Sequence, residues 1–127
     1  MSTENLWGPL PTNKDIKLPV TVLKEQAGIL SDATSKILVA EVSVSKSGES
    51  VTYSLDIVAP ALDNYRYQVL FVTHKAVAYP LQVFQVRGNP IKCSNEQEFL
   101  DVLKSILSSE KTHAVVSSLL AQSKAAA

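Results

Sequence analysis

Reactive side chains are sparse in this chain. It holds one cysteine, Cys93, and two histidines, His74 and His113, with carboxylates spread along its length. Cys93 stands just before a helix-start pattern, where the helix dipole can lower a thiol pKa and favour a nucleophilic thiolate. A lone cysteine is more often a small buried hydrophobe, and that is the reading adopted. Neither histidine has an i, i+4 partner and no Cys-x-x-Cys pair exists, so no metal site is expected. His74 is read as closing a strand and His113 as lying on a helix surface. The four glycines stand apart at Gly8, Gly28, Gly48 and Gly88, so no loop can bring clustered backbone N–H groups to a phosphate. No catalytic residue, metal ligand or cofactor is assigned, and the chain leans away from an enzyme.

Two constellations need a closer look. Glu41 and Asp56 are symmetric about a turn at Gly48 and should face each other across a hairpin. Directly opposed like charges are unfavourable, so a partner cation or a register shift is expected. From Tyr65 to Lys92 four cations (Arg66, Lys75, Arg87, Lys92) are interleaved with three tyrosines, two phenylalanines and His74, with no acid. Rings beside cations suit single-stranded nucleic acid. Strand parity separates them, however: Tyr65 and Tyr67 point away from Arg66. Nucleic acid is therefore not the expected partner.

Composition sets the frame. The chain has 127 residues, 46% of them hydrophobic and 19% charged, with zero formal net charge. That is enough apolar material for one folded domain over 1–127 without a disulfide or a metal. Residues 1–64 carry a balance of −3 and residues 65–127 a balance of +3, a modest dipole that could align two copies. A single cysteine, no secretory pattern and no apolar run long enough to span a membrane together point to the cytoplasm. The terminal Ala125-Ala126-Ala127, native or appended, is left out of functional reasoning.

The elements that must position any site follow from periodicity. Residues 1–18, with Pro9 and Pro11, read as an extended arm tacked to the body by Trp7 and Leu10. Pro19 opens a helix of about eleven residues with Val20, Leu23, Ala27 and Leu30 on one stripe. Four antiparallel strands follow: 36–45, 51–57, 65–74 and about 76–87. Gly88-Asn89-Pro90 ends the sheet. Ser94 and Gln97 form a capping box for a helix carrying Phe99, Val102, Leu103, Ile106 and Leu107. Ser109 can cap a second helix with Val115, Val116, Leu119 and Leu120. The expected fold is α+β: an N-terminal helix, a four-stranded meander, and one or two C-terminal helices, with two favoured.

Strands three and four are apolar on both sides, and this carries the functional expectation. Tyr65, Tyr67, Val69 and Phe71 take one face, with Leu70 and Val72 on the other; in the fourth strand Leu81 and Val83 oppose Phe84 and Val86. If the helices cover only one face, the second is an apolar patch that a partner or a second copy would cover. The expected function is a small protein-binding module of chaperone, inhibitor, immunity or adaptor type, self-associating through its sheet. The candidate partner-binding residues are Trp7, Leu70, Val72, Phe84 and Val86. The alternative is an apolar pocket between sheet and helices, binding a small ligand or performing simple chemistry, with Tyr53, Tyr67 and Tyr79 as its polar handles. In layout the helix and meander resemble the cystatin architecture. Gln85-Val86-Arg87-Gly88 departs from the Gln-x-Val-x-Gly motif of that family, so no family residue roles transfer.

Overall fold

The computed structural model describes residues 4–11 and 17–127. The chain runs α1 (Pro19–Ala33), β1 (Val39–Ser47), β2 (Ser50–Ala59), a 3-10 turn (Pro60–Leu62), β3 (Tyr65–His74), β4 (Leu81–Phe84), β5 (Ile91–Cys93), α2 (Glu96–Leu107) and α3 (Glu110–Ala126). This is the expected α+β fold with two C-terminal helices and one strand more than expected. The sheet is a pure antiparallel meander in the order β1-β2-β3-β4-β5.

Local chemistry explains each start and stop. Pro19 opens α1, and its missing N–H costs nothing in a first turn. The helix runs past the expected exit at Ser31-Asp32, through Gly28, to Ala33. Thr34 then anchors the turn into β1: its buried hydroxyl accepts the Leu38 N–H at 3.3 Å and lies 3.0 Å from the carbonyls of Leu30 and Leu38. The Ser31 hydroxyl accepts the Ala40 N–H at 3.2 Å, which ties β1 to the helix. Gly48, at φ +58°, makes the tight turn between Ser47 and Ser50. The cap of α2 is Asn95, one residue later than expected: its Oδ1 accepts the Glu98 N–H, while the Glu98 carboxylate reaches back to the Ser94 N–H. Ser109 caps α3 as its position suggests, accepting from the Thr112 N–H.

The expected fourth strand is split. Its first part, around Tyr79 and Pro80, is loop, and only Leu81–Phe84 pairs with β3. The chain turns at 85–90 and returns as β5, with Leu81 opposite Cys93 and Val83 opposite Ile91. Pro90 therefore precedes a further strand and does not end the sheet.

The larger correction concerns β3. Leu55 faces Leu70, but Asp56 faces Gln68, so Val69 is an extra residue, a β-bulge. The bulge shifts parity by one. Tyr67, before it, and Leu70 and Val72, after it, all turn to the same side as Ile57 and Leu55. Val69 joins them, at 6% exposure. Much of what reads in β3 as a second apolar face is thus the same face with an inserted residue, and Phe71 with Phe84 of β4 stays on the other. Above the first face lies a single core, built from Val22, Leu23 and Ala27 of α1, Phe99, Leu103 and Ile106 of α2, Leu119 of α3, and the strand residues Leu38, Leu55, Ile57, Leu70, Val72, Leu81, Val83 and Cys93. The described helices thus share one face of the sheet.

Candidate functional site

The opposite, open face is mostly polar. Glu41 lies opposite Asp56 as expected, and the required cation is Arg66. From its place opposite Val58, Arg66 reaches across to both carboxylates: one guanidinium nitrogen is 2.7 Å from Glu41 Oε1, the other 3.1 Å from Asp56 Oδ2. The two carboxylates hold the Arg66 pKa above its ordinary value, Glu41 contributing first. The Ser54 hydroxyl donates to Asp56 Oδ1 at 2.9 Å and accepts from Gln68 Nε2 at 2.8 Å. One guanidinium is therefore shared by two carboxylates, Glu41 exposed and Asp56 buried and further hydrogen-bonded to Ser54. This is a structural ion-pair cluster with no cleft around it. Beside it Phe71 and Phe84 pair across β3 and β4 and stack, with centroids 4.7 Å apart and planes 3° from parallel.

The five expected partner-binding residues do not form one patch. Leu70 and Val72 are 1% and 0% exposed in the core, because the bulge turns them inward. Phe84 is half-buried in its stack with Phe71, and Val86 lies beyond β4, exposed in the turn toward β5. Trp7 is 81% exposed and Leu10 62%, so neither tacks the described part of the arm to the body.

Nor do the three tyrosines converge. The Tyr53 hydroxyl is 3.3 Å from His74 Nε2 at the end of the β2–β3 ladder. Tyr67 borders a cleft beside α3, with Leu62 and Lys111. The Tyr79 hydroxyl is buried without a partner, and burial, with help from Glu96 and Cys93, pushes its pKa up to about 12. Cys93 is 0% exposed, and burial, with a contribution from Glu98, raises its thiol pKa. Loss of solvation outweighs any pull from the start of α2, and the thiol stays protonated at neutral pH. Among the described residues no group of three or more metal-ligating side chains comes together.

What sequence reading missed lies on the helix side. A groove of about 550 Å³ runs between α1 and α3. Ala40, Leu55, Ile57 and Val69 form its floor, Ala27, Leu30 and Ala33 one wall, and Val116 and Leu120 the other. Gln26, Ile29, His113 and Ser117 stand at its polar and mixed margin. Small side chains explain the space: Ala27, Ala33 and Ala40 leave unfilled what Leu or Ile would occupy in a close-packed interior. The wall residues Leu30, Val116 and Leu120 are only half-buried. A second cleft of about 340 Å³, beside α2, shares Gln26, Leu107 and His113 with the first, so the two adjoin. The signal was present in Ala27, Leu30 and Val116, which periodicity marked as apolar stripes. Periodicity does not say whether facing stripes touch.

The volume falls in the range of about 300–1,000 Å³ seen for binding pockets. With few polar groups inside, the groove can shelter apolar side chains. Among the described residues no helix is long and apolar enough to cross a membrane. Comparison of the chain with protein-family models, with curated proteins and with solved structures finds no match in any of the three.

Proposed function

We propose that this chain is a protein-binding module that receives an apolar segment of a partner in the trough between α1 and α3. The observation that carries the reading is the half-buried apolar wall of Leu30, Val116 and Leu120 above a nearly covered floor. A surface of this kind gains stability when another chain removes it from water. An open apolar groove flanked by two helices suits the apolar face of an amphipathic helix or an extended peptide. The small-ligand reading loses its handles, since Tyr53, Tyr67 and Tyr79 all lie outside the groove lining. Acting by occupation of a partner's segment fits a chaperone, an inhibitor or an adaptor equally.

The test is comparative capture of the partner from native cells. A species retained by the wild-type chain and by a Ser45→Glu variant of the open face, but lost from an Ile29→Glu/Ser117→Glu variant, supports the reading. Both groove positions are exposed, so the fold should persist. Retention by the groove variant, with loss from the open-face variant, overturns it.

A further inference from the structure

The arm displays what the groove lacks. Asn5 Oδ1 accepts the Trp7 N–H at 3.0 Å, its Nδ2 donates to the Gly8 carbonyl at 3.1 Å, and Gly8 completes the turn at φ +72°. Leu6 and Trp7 sit at the tip of this turn, 87% and 81% exposed, with Leu10 following at 62%. Three large apolar side chains on a locally ordered tip are held in water by the same chain that carries an open apolar trough. Ordering the tip beforehand reduces the entropy that docking must overcome.

We propose that the Leu6–Leu10 arm of one copy docks in the α1/α3 groove of a second copy, reciprocally, forming a closed dimer. This rests on the groove being a docking surface, as proposed above. Three observations favour a copy of this chain as the occupant. The first is area. A buried Trp and two Leu remove roughly 400–500 Å² from water and the groove lining gives up less than half as much, so two arms in two grooves hide on the order of 1,100–1,400 Å² in all, near the lower bound for a specific interface. The second is charge. Glu4 precedes the tip, while His113 borders the groove and Lys104 the adjoining cleft. The third is that the tip lies outside its own groove, none of whose lining residues comes from the arm. A reciprocal exchange leaves no unmatched surface and so closes at two.

Trp7 is the only tryptophan, so its fluorescence reports the arm alone. Light scattering and emission spectra are recorded together from low to high micromolar concentration. The expected result is a doubling of mass with a blue shift of Trp7 in step. Trp7→Ala, and separately Ile29→Glu/Ser117→Glu, should each weaken dimerisation at least tenfold. A monomer throughout, a dimer with unshifted Trp7 or insensitive to either change, or a blue-shifted monomer with the arm in its own groove would each overturn the exchange. Loss of exchange while Trp7→Ala still captures a partner through the groove fails this inference alone. Capture indifferent to the groove variant fails the reading beneath it.

Discussion

Glu41 and Asp56 face each other in register on the first hairpin, and one guanidinium, from Arg66 on the third strand, serves both. The relationship ties three strands together on the open face. It also makes Arg66 the residue whose loss leaves two like charges in opposition. Arg66→Ala is expected to lower the melting temperature, and Asp56→Asn in the same background to recover part of the loss. Thermal unfolding at low salt checks this. Added salt should narrow the gap between Arg66→Ala and wild type only in part, because the exposed Glu41 pair is screened and the buried Asp56 pair much less so. Equal losses in the single and double variants would contradict it.

Thr34 joins α1 to β1 through a hydroxyl that is both donor and acceptor in a buried site. Thr34→Val keeps the shape and removes the oxygen, leaving the Leu38 N–H without its partner. The expected cost is about 1–3 kcal/mol, the usual penalty for an orphaned buried polar group. Urea unfolding measures it, and Thr34→Ser should retain most of the stability.

Alkaline pH should weaken the fold through two groups. Tyr79 is pushed up to about 12 and the Cys93 thiol is also raised, each by burial first. A raised pKa means that the unfolded chain gives up its proton at lower pH than the folded one. Stability is then intact below the ordinary thiol and phenol values and falls as pH climbs toward the folded values. Tyr79→Phe should flatten the part of this decline near pH 10–12. At neutral pH it should be neutral or stabilising by about 1 kcal/mol, because the Tyr79 hydroxyl has no partner to lose. Denaturant midpoints measured across pH decide it. The same burial predicts that Cys93 reacts with a thiol reagent only as fast as the chain opens.

Much of the frame was legible in sequence because local chemistry decides it. Pro19, Gly48 and Ser109 each mark a boundary by a requirement of their own backbone or side chain, and the symmetry of Glu41 and Asp56 about Gly48 placed their contact and called for a cation. The bulge at Val69 was not legible. One inserted residue reverses parity, and nothing about a valine among apolar neighbours announces it. That single step turned Leu70 and Val72 from an expected docking patch into core. β5 is three residues long, too short for alternation to register, and Pro90 suggested an end. The groove was out of reach for another reason. Its walls are ordinary amphipathic stripes, and only the spacing of α1 from α3 decides whether they close on each other.

The most direct test of the groove as the working surface is site-specific photo-crosslinking in native cells, carried out with the Trp7→Ala chain so that its own arm does not compete. The photoreactive residue replaces Ile29 or Ser117 at the groove margin, or Ser45 or Gln68 on the open face. Adducts with one and the same partner from Ile29 and Ser117, with none from Ser45 and Gln68, are the predicted result. Adducts from Ser45 and Gln68 alone would place the working surface on the open sheet and contradict the account.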